Sequence, residues 1–154
     1  MKIKSILERK GRGVFTIGPH ETVYMAIGRL NQHLIGALVV VSETGEPLGI
    51  ITERDVLREC GERCSRLVTG PGGEQGCPSK VEDAMSEDLI IGVPDDDLTY
   101  VMGVMTQNRI RHLPVMDGSE LAGIISIGDV VNAFVEESDY ENRLLKDYIS
   151  GVVY

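Results

Sequence analysis

The sequence predicts an α/β protein of the α+β type, made of two tandem β-α-β-β-α repeats. Three internal matches predict it. Gly49-Ile50-Ile51-Thr52-Glu53-Arg54-Asp55 returns as Gly123-Ile124-Ile125-Ser126-Ile127-Gly128-Asp129, an offset of 74 residues. Upstream of a hairpin turn the offset is 75, so Pro19-His20-Glu21 falls on Pro94-Asp95-Asp96 and Val39-Val40-Val41 on Pro114-Val115-Met116. Further upstream, Ile3-Lys4-Ser5-Ile6-Leu7 matches Val81-Glu82-Asp83-Ala84-Met85 at an offset of 78. The slips fall in turns and connections, which marks a duplication of about half the chain. The repeats are placed at 1–60 and 80–138, with a connection over 61–79 and a C-terminal helix over 139–154.

Residues 2–10 form a short amphipathic start, with Ile3, Ile6 and Leu7 at helical spacing, and Gly11-Arg12-Gly13 breaks it. Val14-Phe15-Thr16-Ile17 is a strand. Pro19-His20-Glu21 opens a helix in which Val23, Ala26, Ile27, Leu30 and Leu34 make one apolar stripe for the core. Ala37 to Val41 is apolar and β-branched, Glu43-Thr44-Gly45-Glu46 turns the chain, and Pro47 to Ile51 returns as the partner strand. Arg54 to Cys60 is the closing helix. The connection then departs from both repeats, with Gly70-Pro71-Gly72-Gly73 and Gly76-Cys77-Pro78 as breakers. In the second repeat Ile90-Ile91-Gly92-Val93 is the strand, and Pro94-Asp95-Asp96-Asp97 starts a helix with acids at its positive end. Leu98, Val101, Met102 and Met105 line one face of that helix. Arg111 to Met116 and Leu121 to Ile125 pair through Asp117-Gly118, and Ser126 to Glu136 closes the unit. Asn142 to Ile149 is a last helix with Leu144, Leu145, Tyr148 and Ile149 apolar, suited to packing on a partner or on the duplicated core.

The 154 residues suit one domain or two half-size repeats sharing a core. Hydrophobic residues at 42% and charged residues at 25% give an ordinary globular balance and argue against extensive disorder. No stretch approaches the roughly 20 apolar residues that cross a bilayer, and no signal-like run follows Met1, so the protein is expected in the cytosol. The net charge of −9 is uneven: residues 1–80 hold 11 basic and 9 acidic side chains, residues 81–154 hold 4 and 15. Such a second half repels a nucleic acid duplex or an anionic membrane. It directs any phosphate recognition to the first half, or to the few basic residues left in the second; a merely solvated acidic surface is the neutral alternative.

The two Gly-Ile-Ile-(Thr/Ser)-x-x-Asp strings place a hydroxyl residue and an aspartate where a strand runs into a helix. Hydroxyl-x-x-acid is close to a capping box, which satisfies orphan backbone N–H groups without any ligand. Two copies, each within a longer frame that includes Ile35 to Val41, Arg109 to Val115 and the tail Leu144 to Ile149, resemble the cystathionine-β-synthase (CBS) domain family in its paired form, the Bateman module. The resemblance covers nearly the whole chain and is nearest to small stand-alone bacterial CBS pairs. It implies two repeats packed sheet to sheet about a pseudo-twofold axis, with a cleft on each side able to hold an adenosine derivative. It also implies a homodimer to which the terminal helix contributes.

Carried over by position, the ribose-binding carboxylates are Asp55 and Asp129, with Thr52 and Ser126 beside them. A carboxylate accepts from both ribose hydroxyls, and a helix start favours an anion. Arg54 lies in the first turn of its helix, where its fork suits a phosphate, while Ile127-Gly128 offer no charge. Arg111-His112 stand where the first repeat has Gly36-Ala37, small or backbone groups suited to touching the base. Arg54 and Arg111 are equally readable as solvated or ion-paired side chains, and His112 as a strand histidine. Leu38, Val39, Leu113 and Val115 belong to the core. The resemblance implies a ligand among AMP, ADP, ATP, NAD and S-adenosylmethionine; no metal and no catalytic group is expected.

An enzyme is the first competing class, but no nucleophile elbow, P-loop, zinc-protease helix or paired-carboxylate constellation is present. Cys60, Cys64 and Cys77, without a nearby histidine, fall short of a closed zinc site, and Cys60 to Cys64 is not a Cys-x-x-Cys pair. They are read as ordinary thiols, with redox sensing as the lesser alternative. The second competing class is an interaction module whose clefts stay empty.

Overall fold

The computed structural model describes residues 1–11, 13–62 and 79–149. The chain divides into two compact units, Val14–Ile90 and Met1–Gly13 joined by the chain from Ile91 onward. These units cut across the sequence repeats, because each repeat's first helix packs into the unit built on the other repeat's strands.

In the Val14–Ile90 unit, β1 (Thr16–Ile17) leads to α2 (Val23–His33), β2 (Ala37–Val41), β3 (Pro47–Thr52) and α3 (Glu53–Glu62), with α4 (Val81–Ala84) arriving from beyond the connection. The sheet order is β1-β2-β3. β1 runs parallel to β2, Thr16 opposite Val39, as a strand-helix-strand crossover requires; β2 and β3 are antiparallel, with Ala37 opposite Thr52. Ser86 extends the β3 edge, exchanging both backbone hydrogen bonds with Ile50 at 3.0 and 2.9 Å. Ile17, Val23, Ala26, Leu30, Leu38, Val40, Ile51, Val56, Val81 and Ala84 form the core. Helix α2 begins later than Pro19-His20-Glu21 suggests. Residues 19 and 20 form a turn, and Thr22 is the N-cap, its hydroxyl accepting from Met25 N–H at 3.2 Å. Leu34 does not join the apolar stripe: at the C-cap, with φ 53°, it is 91% exposed. Its counterpart Arg109 has φ 54°, so both repeats leave the helix through a left-handed residue that is not glycine.

The other unit holds α1 (Ile3–Lys10), α5 (Leu98–Gln107), β4 (His112–Asp117), β5 (Glu120–Ser126) and α6 (Ile127–Ile149). β4 and β5 are antiparallel, His112 opposite Ser126. The expected strand at 90–93 is reduced to a single parallel bridge, Gly92 to Val115. Pro94 has no N–H to extend a ladder, and the carbonyls of Pro94 and Asp96 accept from Lys4 N–H at 2.9 Å and Ile3 N–H at 3.0 Å, satisfying the first turn of α1. The same device recurs in the Val14–Ile90 unit, where Val81 N–H and Glu82 N–H donate to Glu21 and Pro19 carbonyls at 2.8 and 2.9 Å. Ile3, Ile6 and Leu7 are buried on α1, and Leu98, Val101 and Met105 on α5.

The separate terminal helix expected over 139–154 is, as far as residue 149, the end of α6, a single helix of 23 residues. No glycine or proline interrupts residues 129–149, so nothing stops propagation after Glu136. Val130 and Ala133 bury its first half, whereas residues 138–149 are all exposed. Tyr140, Leu144 and Tyr148, spaced at i, i+4, i+8, and Leu145 continue the buried stripe past the core.

Candidate functional site

Both hydroxyl-x-x-Asp strings sit where a strand passes directly into a helix, β3 into α3 and β5 into α6. Strand pairing fixes the hydroxyl residue, and the helix brings the aspartate back over it. In the first, Asp55 Oδ2 accepts from Thr52 N–H at 2.8 Å and from the Thr52 hydroxyl at 2.9 Å. In the second, Asp129 Oδ2 accepts from Ser126 N–H at 2.7 Å and from the Ser126 hydroxyl at 2.9 Å. Each hydroxyl oxygen in turn faces the aspartate's own N–H, at 3.4 and 3.2 Å. The reciprocal bonding of a capping box is therefore present in both.

The residues just before β2 and β4 join these turns. Gly36 and Arg111 carbonyls accept from Glu53 N–H at 3.1 Å and Ile127 N–H at 2.8 Å, the residues just after Thr52 and Ser126. Gly36, Ala37, Thr52 and Asp55 therefore share one turn, and Arg111, His112, Ser126 and Asp129 the other. Strand register sets the start of β2 beside Thr52 and the start of β4 beside Ser126, each within its own repeat. Arg54 lies one residue before Asp55, exposed, and Arg111 is exposed too; neither side chain pairs with any described residue. Leu38, Val39, Leu113 and Val115 are core, each at most 1% exposed.

The second oxygen of each carboxylate separates the two turns. Asp55 is buried, and its Oδ1 accepts from Arg58 Nη2 at 2.8 Å, one helical turn on. In the other turn Lys10, from α1, donates to Asp129 Oδ2 at 2.7 Å and to the Ile124 carbonyl at 3.2 Å. Asp129 Oδ1 has no partner among the described residues. Burial pushes the Asp129 carboxyl up, but the Lys10 ammonium and the N–H and hydroxyl of Ser126 outweigh it and hold it below the usual carboxylate range. Arg58 and Lys10 were both missed from sequence. Helical i, i+3 spacing signals Arg58; nothing local signals Lys10, 119 residues from its partner.

A cavity of about 600 Å³ lies elsewhere in the Val14–Ile90 unit, lined by Thr16, Gly18, Glu21, Arg29 and Ser42 among others, at the Val41 end of β2, away from Thr52. It includes none of the expected site residues. Among the described residues no group of three or more His, Cys, Asp or Glu is placed to hold a metal, and no helix is long and apolar enough to cross a membrane. Cys60 is half-buried on α3; Cys64 and Cys77 lie outside the described residues.

A family model described as CBS domain matches twice, at residues 4–62 and 81–136. The chain is 42% identical over 135 residues to the CBS domain-containing protein CBSX3, mitochondrial, of Arabidopsis thaliana, with 85% of this chain covered but only 61% of that one. It is 33% identical over 137 residues to the CBS domain-containing protein YhcV of Bacillus subtilis, covering 88% and 90% of the two. Among solved structures, the CBS-domain containing protein ATU1752 of Agrobacterium tumefaciens superposes with a TM-score of 0.76 at 39% identity, covering 86% of this chain and 92% of that one. The CBS domain pair of protein MJ0100, solved with 5-methylthioadenosine and S-adenosyl-L-methionine, shares the fold with a TM-score of 0.74 at 22% identity, covering 89% and 98%.

Proposed function

This chain belongs to the CBS-domain family, and from that premise we propose that it is a sensor module that binds an adenosine-containing ligand at its hydroxyl-x-x-Asp turns. The ligand class is AMP, ADP, ATP, NAD or S-adenosylmethionine, and occupancy is reported by a change in shape or assembly rather than by catalysis. The observation that carries the reading is the Ser126–Asp129 turn. Its carboxylate is held by one oxygen and presents the other to accept from ribose hydroxyls, at a helix start that favours the adjoining anion. The adenosine compounds held by MJ0100 support the ligand class. A signal requires that the ligand prefer one of two states, and the exposed stripe of α6 suggests that one of them is a homodimer.

A second reading, an interaction module that binds no nucleotide, is favoured by the capping bonds themselves, since Thr52 and Ser126 already employ both aspartates. Thermal unfolding with each of the five ligands separates the two readings: stabilisation by one supports a sensor, and none at millimolar concentration supports the interaction module.

A further inference from the structure

We propose that Lys10 is a binding residue of the Ser126–Asp129 turn, where its ammonium selects an adenosine ligand that carries phosphate over one that does not. The inference rests on the ligand-binding reading above and deepens it. An ammonium has three donors; Lys10 commits one to Asp129 Oδ2 and one to the Ile124 carbonyl. The third stands beside the carboxylate whose other oxygen is open to ribose. Lys10 is on an anchored backbone, because Ile3, Ile6 and Leu7 bury α1 and the Pro94 and Asp96 carbonyls accept from its first turn. The Lys10 side chain is 43% exposed and that of its partner 24%, so this ion pair adds little to holding α1 and stays open to solvent and to an incoming anion.

The other turn is not a copy. There the cation is Arg58, on the same helix as the aspartate, and it occupies the oxygen that Asp129 leaves open. The residue 74 positions after Arg58 is Asn132, and the residue 78 after Lys10 is Asp88, so neither cation has a basic counterpart in the second copy. Arg111, just before β4 at the Ser126 turn, has no side-chain partner among the described residues and is a further basic group on an otherwise acidic half. Phosphate recognition is thereby assigned to the acidic second repeat with a lysine lent by the first repeat's helix.

Titration calorimetry with adenosine, AMP and ATP tests this, using wild type, Asp55→Asn to isolate the second turn, and that background with Lys10→Met or Lys10→Arg. Lys10→Met is expected to weaken AMP and ATP by about tenfold or more, the worth of a hydrogen bond to a charged group, and adenosine by less than about threefold; Lys10→Arg keeps the preference. Equal losses for adenosine and AMP make Lys10 a mere support of Asp129 and overturn the proposal, as does no loss in either. Wild-type binding that vanishes in Asp55→Asn puts the ligand at the first turn and overturns this inference alone. No binding by wild type removes the sensor reading and this inference with it.

Discussion

The glycines that open the two repeated strings are equivalent in sequence but meet different neighbours. A methyl group added at Gly49 stands 2.5 Å from the Ser86 carbonyl oxygen and 3.1 Å from Met85 Sδ. That carbonyl accepts from Ile50 N–H, and Ser86 N–H donates back to Ile50, so relief requires displacing the backbone that completes the β3 edge. At Gly123 the methyl meets the Cδ2 end of Leu7, a buried side chain that can change rotamer. Overpacking costs about 1–3 kcal/mol and each weakened backbone hydrogen bond about 0.5–1.5 kcal/mol, so Gly49→Ala should lose about 2–4 kcal/mol. The chain-entropy gain on replacing a glycine, about 0.4–1 kcal/mol, returns only part of that. Gly123→Ala should lose about 1–2 kcal/mol, mostly the repacking of Leu7. At about 2–4 °C per kcal/mol, circular dichroism melts should fall by about 4–16 °C for Gly49→Ala and by about 2–8 °C for Gly123→Ala. A Gly49→Ala protein that melts with wild type, or a Gly123→Ala protein that melts below the Gly49→Ala protein, would refute the assignment of these contacts.

Two further outcomes follow from the charges and from α6. Burial pushes the Glu21 carboxyl up, but Gly18 N–H at 2.7 Å and the bidentate Arg29 at 2.6 and 3.0 Å outweigh it, so its folded pKa is lowered. A lowered carboxylate adds stability above its ordinary value and loses it as pH falls through the folded value, so Glu21→Gln should be less stable than wild type at pH 7, with the difference closing below about pH 4. Urea midpoints at several pH values check this. If the α6 stripe is the dimer surface, Leu144→Glu, Leu145→Glu and Tyr148→Glu together should convert a dimeric wild type to monomer in light scattering. A monomeric wild type would count against that surface.

The repeat, the order of elements and the two aspartate turns were legible because each is encoded within a few residues: a glycine, an apolar strand end, a hydroxyl and an acid three positions on. The two hairpin turns were legible from Glu43-Thr44-Gly45-Glu46 and Asp117-Gly118 for the same reason. What escaped depends on the rest of the fold. Ile90 to Val93 has strand composition, yet of these residues only Gly92 pairs, in a single bridge to Val115. Leu34 continues an apolar period but ends its helix in a left-handed conformation. The exchange of α1 and α4 between the two copies is invisible to a reading that cuts the chain at repeat boundaries. Lys10 therefore looked like the polar end of a short helix, and Gly123 like a strand residue rather than the space that Leu7 fills.

Thermal unfolding of ligand-free protein against AMP, ADP, ATP, NAD and S-adenosylmethionine, with an Asp55→Ala, Asp129→Ala double variant alongside, tests the central claim most directly. A ligand at 100 times its dissociation constant stabilises the folded state by about 2.7 kcal/mol, which raises the midpoint of a chain this size by roughly 5–10 °C. The sensor account predicts such a shift with at least one of the five, and its loss in the double variant. No shift with any of them at millimolar concentration, or a shift that the double variant keeps, would leave the two aspartates as helix caps and contradict the account.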